Sequence, residues 1–92
     1  MRVRWTERAL KDIDGIYQYI AQDSIQHAQK TIAGIKLVAH AAAKNVMSGR
    51  VVPEYNNPKI RERFYRRYRV IYRMLVREIE IIAVSHGSRL FG

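Results

Sequence analysis

The sequence predicts an α+β domain of order β-α-α-β-β-β, with an N-terminal helical hairpin packed on one face of a small, mainly antiparallel sheet. Three observations predict it. Apolar residues recur at helical spacing from Ala9 to Ala42. A short polar break at Asp23-Ser24 divides that stretch into two amphipathic helices, which implies an antiparallel hairpin. After Asn45 the period changes to strand-like alternation and short apolar runs.

Each element has its own local reason. Arg2-Val3-Arg4-Trp5 alternates charged and apolar residues, as a short strand does. Thr6 is placed to cap the first helix, with Glu7 favourable in its first turn. Ala9, Leu10, Ile13, Ile16, Tyr17 and Ile20 then form its apolar stripe. Asp23 followed three residues later by Gln26 resembles a capping box for the second helix. That helix is expected from about Ile25 to Lys44, with Ala28, Ile32, Ile35, Val38 or Ala39, and Ala42 facing inward. Gly15 and Gly34 interrupt the helices at about 1 kcal/mol each relative to Ala. Either the helices cross closely there or the fold simply tolerates the cost.

Ser48-Gly49 and the stretch from Pro53 to Pro58 read as loop and turn. Three strand-like runs follow: Ile60 to Tyr65, Tyr68 to Val76, and Glu78 to Ser85. The middle run puts Tyr68, Val70, Tyr72 and Met74 on one face, and Arg69, Ile71, Arg73 and Leu75 on the other. The Ile-rich last run suits a central strand covered on both faces. It follows its neighbour after only a residue or two around Arg77, which demands a tight hairpin. The helices should bury their stripe on one face of the sheet. The opposite face then receives Arg69 or Arg73, with Arg61 or Arg63 beside them on the adjacent strand.

Composition narrows the function classes. The chain has 92 residues, 17 Lys and Arg, 8 Asp and Glu, a formal charge of +9 and no Cys. Residues 1–92 read as one domain, without disulfide staples or thiolate metal sites. No run approaches the roughly 18 apolar residues of a membrane span. The N-terminus enters charged sequence at once, so a cytoplasmic protein that does not engage membranes is expected. A secreted disulfide scaffold and a multidomain enzyme are excluded.

The charge is uneven. Arg50, Lys59, Arg61, Arg63, Arg66, Arg67, Arg69, Arg73 and Arg77 are opposed within residues 50–77 only by Glu54 and Glu62, so this stretch carries 9 − 2 = +7. Eight of the nine cations are Arg, whose planar fork pairs with phosphate or carboxylate and stacks on rings. The aromatics among them give the pattern of a nucleic-acid surface, although Tyr72 and Phe64 read as core because strand aromatics usually pack. Metal-free RNA cleavage needs a base, a phosphate clamp and an acid. Glu54 is the candidate base, Arg61, Arg69 and Arg73 are candidate clamps, and His86 ends the last strand. His27 and His40 lack i,i+4 partners, so neither metal nor other cofactor is expected.

Taken in order, Val3-Arg4-Trp5-Thr6, Ala9-Leu10, Asp12-Ile13, Tyr19-Ile20-Ala21, Gly49-Arg50-Val51-Val52-Pro53-Glu54, Ile60-Arg61-Glu62, Tyr68-Arg69-Val70-Ile71-Tyr72 and Val84-Ser85-His86-Gly87-Ser88-Arg89 resemble the RelE/ParE superfamily of type II toxin–antitoxin toxins over nearly the whole chain. The resemblance implies one of two targets. RelE-like members cleave mRNA on the ribosome, and ParE-like members share the fold but poison DNA gyrase. The glutamate and strand arginine of one mRNA-cleaving branch map to Glu54 and Arg69. Its terminal His-Tyr falls near Ser88-Arg89, and the late-strand Arg of RelE-like toxins is replaced by His86. The long hairpin and the His-Gly-Ser-Arg ending are more ParE-like, so the gyrase branch is favoured. An mRNA endonuclease using Glu54, Arg61, Arg69, Arg73 and His86 is the alternative, and an inactive antitoxin-binding homologue the second. The resemblance also implies a cognate antitoxin with an acidic amphipathic tail in a hetero-oligomeric complex. Its expected docking face comprises Arg50, Arg61, Arg63, Arg66, Arg67, Arg69, Arg73 and Arg89.

Overall fold

The computed structural model describes residues 1–87. The elements are β1 (Arg2–Trp5), α1 (Glu7–Ala21), α2 (Ile25–Lys44), β2 (Arg50–Val51), β3 (Ile60–Tyr65), β4 (Tyr68–Met74) and β5 (Glu78–His86). The strands form one sheet in the order β1-β5-β4-β3-β2, antiparallel throughout except for the β1–β5 pair. The α+β class and the order of the expected elements hold, and β2 is added to them. That strand falls in a stretch read as loop from Ser48 and Gly49, and two residues are too few to show a period.

Thr6 caps α1 from extended backbone, its hydroxyl accepting the Ala9 N–H at 3.1 Å. The same hydroxyl donates to the Ile81 carbonyl at 2.9 Å, and the Thr6 N–H reaches that carbonyl at 3.1 Å, so the cap ties α1 to β5. The cap of α2 corrects the sequence reading. Ser24, not Asp23, has the extended backbone, and its hydroxyl accepts the His27 N–H at 3.1 Å. Either residue can cap. The Asp23 and Ser24 N–H groups both close on the Ile20 carbonyl, which carries the α1 turn one residue further.

Ala9 and Ile13 of α1 and Ile35, Ala39, Ala42 and Ala43 of α2 bury against Val70, Tyr72, Ile79, Ile81 and Val84 of the sheet. Ala39 is the fully buried member of the expected Val38-or-Ala39 position; Val38 packs at the edge. Leu10, expected on the α1 stripe, is half exposed on its flank. The two helical glycines differ. A Cβ on Gly34 would overlap the Tyr65 ring, so the close approach is helix to sheet rather than helix to helix. A Cβ on Gly15 would meet nothing within 4 Å.

The sheet's other face carries a smaller cluster of Val52, Ile71 and Ala83, with Ile60 and Ile82 packed on it. Ile82 is the extra residue of a β-bulge: Tyr72 pairs with Ile81, but Ile71 pairs with Ala83. The bulge shifts the side-chain parity of β5, so Ile81 and Val84 both point at the helices while Ala83 points away. A continuous apolar run thereby supplies both cores.

Candidate functional site

The face away from the helices is organised by buried glutamates. Glu62 in β3 is 1% exposed. It stands opposite Arg50 of β2 and diagonal to Arg69 of β4. It accepts from Arg69 Nε at 2.6 Å and from Arg50 Nε at 2.5 Å. Arg69, itself 5% exposed, gives its remaining fork to Glu54: Nη1 to Oε2 at 2.7 Å and Nη2 to Oε1 at 2.9 Å. The hydrogen bonds to Glu54, and then those and the charge of Glu62, raise the Arg69 pKa against the opposing effect of burial. This guanidinium is a permanent cation with its planar fork filled by carboxylates.

A second set lies beside it. Glu80 of β5 is flanked in register by Arg4 of β1 and Arg73 of β4. It accepts from Arg73 Nη2 at 2.8 Å and from Arg4 Nη2. Arg4 Nε donates to Glu78 at 2.7 Å, and this bond heads the causes that raise the Arg4 pKa.

Arg61 and Arg63 correct the expected placement. They pair in register with Tyr72 and Val70, residues of the helix-side core, so they lie on the opposite face from Arg69 and Arg73. Arg61 donates to the carbonyls of Gly49 and Pro58, each at 2.9 Å, and so ties the residue before β2 to the far end of the loop between β2 and β3. Tyr72 lies beneath, donating to the Val46 carbonyl at 2.8 Å and accepting the Gly49 N–H at 3.2 Å. Its burial raises its pKa; the Gly49 N–H and the charges of Arg61 and Arg63 oppose the rise. Phe64, expected in the core, is 45% exposed with Arg50 stacked 5.7 Å from its ring centre. It points to the face that has no helices.

At one end of the sheet, Arg66 and Arg67 form the two-residue link between β3 and β4, and Arg66 sits at φ 52°. Arg66 stacks 5.6 Å over the Tyr65 ring. His86, paired with Tyr68 across the strands, meets its ring edge-on at 5.8 Å, and the Gly87 N–H reaches the Arg67 carbonyl at 2.5 Å.

Of the five residues proposed for RNA cleavage, then, Glu54 and Arg69 meet each other, and Arg73 shares their face but turns to Glu80. Arg61 and His86 belong to the helix-side face. Of the expected docking arginines, Arg61, Arg63, Arg66 and Arg67 have no carboxylate partner among the described residues, and Arg61 is held by backbone carbonyls instead. Arg89 lies outside them. No group of three His, Cys, Asp or Glu among the described residues could hold a metal, and no helix there is long and apolar enough to cross a membrane.

The role of Glu62 escaped the sequence reading, although a signal was present. A two-residue link at Arg66-Arg67 makes paired positions sum to 133, which sets Arg61 on Tyr72 and Glu62 on Ile71. Glu62 is thus assigned to the face of Arg69 by loop length alone.

Comparison with known proteins places this geometry. The family model described as the ParE toxin of the type II toxin–antitoxin system, parDE, matches residues 3–91. Among solved structures, the chromosomal ParDE TA system from P. aeruginosa contains a chain similar to this one, with a TM-score of 0.76 and 22% identity. The match covers 94% of this chain and 95% of that one. No curated protein shows a significant match.

Proposed function

The chain belongs to the ParE toxin family of type II toxin–antitoxin systems, and from that membership we propose that it inhibits DNA gyrase by binding and is neutralised by a cognate antitoxin. The observation that carries this reading is the state of the Glu54–Arg69 pair. Metal-free RNA cleavage requires a base that can reach a 2′-hydroxyl and a cation that can reach the phosphorane. Here both Glu54 oxygens engage the Arg69 fork, and Arg69 is buried on Glu62. Arg61 and His86, needed for the rest of the constellation, face the other way. These arginines and glutamates serve the sheet, which favours a toxin that acts through its surface.

The antitoxin proposal rests on α2. This helix contains no acidic residue and carries Lys30, Lys36 and Lys44 around Leu37, which is 71% exposed. Exposed cations beside an exposed apolar side chain suit an acidic amphipathic segment. The solved ParDE system supplies the analogy, at the level of fold.

The deciding experiment is a side-by-side assay with purified toxin. Gyrase supercoiling should be inhibited while ribosomal translation of a reporter mRNA proceeds uncut. Intact supercoiling together with cleaved mRNA would overturn the reading.

A further inference from the structure

The hairpin tip between β3 and β4 gathers arginines that meet no carboxylate among the described residues. Arg4, Arg50, Arg69 and Arg73 are matched to Glu54, Glu62, Glu78 and Glu80. Arg63, Arg66 and Arg67, at or leading into the tip, have no carboxylate among the described residues. Lys30 lies one helical turn before Gly34 on the same face of α2, and Gly34 sits on Tyr65, so α2 directs a further cation toward this end of the sheet.

The turn itself is built around arginine at some conformational cost. Arg66 adopts a positive φ that Gly or Asn takes more readily. Arg67 completes the link, and the Gly87 N–H fastens the Arg67 carbonyl to the end of β5. The Arg66 guanidinium is held over the Tyr65 ring, which leaves its fork edge available to a ligand.

We propose that this tip is a contact site for the phosphate backbone of duplex DNA, made by Arg66 and Arg67 with Arg63 behind them. The shape of the tip selects this class of partner. An acidic amphipathic peptide needs apolar ground for its other face; the two-residue link itself bears only guanidinium groups, and the exposed ring nearest it, Phe64, is stacked by Arg50. A phosphate backbone asks only for positioned cations and carries no sequence requirement. The arginines of the site lie outside α2, and only Lys30 is shared with the surface assigned to the antitoxin. The site does not depend on gyrase being the target, although a toxin acting on a DNA-bound enzyme gains a second foothold from it.

The test measures binding of the full chain to a fluorescein-labelled duplex of mixed sequence, by anisotropy, across a salt series and without gyrase. Each phosphate contact contributes about 0.9 to the slope of log affinity against log salt. The double variant Arg66→Asn, Arg67→Gln should flatten that slope by about 1.8, so the affinity lost over a fourfold rise in salt is roughly 12-fold smaller. Asn tolerates the positive φ at position 66, and a thermal melt verifies the fold. Lys59→Gln with Arg77→Gln removes the same charge from the opposite end of the sheet and should change the slope by less than half as much. A second pair, Arg66→Lys with Arg67→Lys, keeps the charge and should keep the slope. Equal flattening by the two charge-removing pairs would overturn the proposal in favour of diffuse attraction. Wild-type protein that fails to bind the duplex would overturn it as well. So would a polyglutamate peptide whose binding depends on the tip while duplex binding does not. Gyrase inhibition that persists in the tip variant leaves the gyrase reading standing by itself.

Discussion

Removing Arg69 should destabilise this protein before it tells anything about catalysis. In Arg69→Ala, Glu62 keeps a carboxylate at 1% exposure and loses its buried partner, retaining only Arg50, whose side chain is largely in solvent. Glu54 loses its two-point contact at the same time. Breaking a buried ion pair by deleting one partner costs about 3–5 kcal/mol, because the orphaned charge stays desolvated. A domain of this size has roughly 5–14 kcal/mol in total. Taking the lower figure, at about 4–8 °C per kcal/mol, Tm should fall by roughly 12–24 °C. Urea titration and circular dichroism melts measure both quantities. A companion variant isolates the mechanism: Arg69→Met with Glu62→Met removes the orphan as well and should recover about 1–3 kcal/mol relative to Arg69→Met alone. If Arg69→Ala melts within a few degrees of wild type, and the double variant is no better than the single, the buried-charge reasoning is refuted. Loss of toxicity in Arg69→Ala is therefore evidence about catalysis only for a variant that has first been shown to fold.

Two further predictions separate packing from ionisation. Gly34→Ala drives a methyl into the Tyr65 ring and should destabilise by about 1–3 kcal/mol, whereas Gly15→Ala, with open space around it, should stabilise by about 0.5–1 kcal/mol; paired thermal melts should move in opposite directions, and a shared sign would refute the packing account. Tyr72 has its pKa raised by burial, so the folded state favours the neutral phenol. Its contribution is complete below the ordinary tyrosine value of about 10 and is lost as pH rises through the higher folded value. Wild-type Tm should thus drop more steeply than that of Tyr72→Phe from about pH 9 to 11, even though the Phe variant starts lower for want of the Val46 and Gly49 hydrogen bonds; parallel curves would show that Tyr72 does not sense pH.

What could be read from the sequence follows the physics of each signal. Both helices and four of the five strands announce themselves because their apolar periods or alternation run for several residues. Arg50 and Val51 carry no period, and their strand exists only because β3 offers an edge beside them. Asp23 and Ser24 are equally good caps on chemical grounds, and where α1 releases the chain decides between them. The alternation within β4 is correct to the residue, but its relation to β3 depends on register, a property of the link rather than of either strand. Assigning Arg61 and Arg63 to the wrong face came from treating the strands separately. The candidate residues themselves were visible as types. That Glu54 and Arg69 neutralise one another was not, since they are fifteen positions apart and meet only once the segment after β2 folds across the sheet.

The two glutamate sets also explain how so short a sheet keeps its order. Glu80 on β5 takes arginines from both neighbouring strands, Arg4 on β1 and Arg73 on β4; Glu62 on β3 does the same with Arg50 on β2 and Arg69 on β4. Each edge strand, four residues in β1 and two in β2, is thus fastened by an Arg-Glu pair to a strand inside it. Hydrophobic burial sets the register of the helix side, where a one-residue slip would turn Val70, Tyr72, Ile79 and Ile81 away from the core. The other face has only Val52, Ile71 and Ala83 to hold it, and β1 contributes nothing to that cluster. A slip of β1 there would instead strand Glu80, 8% exposed, without Arg4. Charge on this face therefore specifies alignment where apolar area is scarce. The net +9 gives no hint of this arrangement, because every pair in it cancels, and the cations that remain to meet a partner are those the sheet does not use.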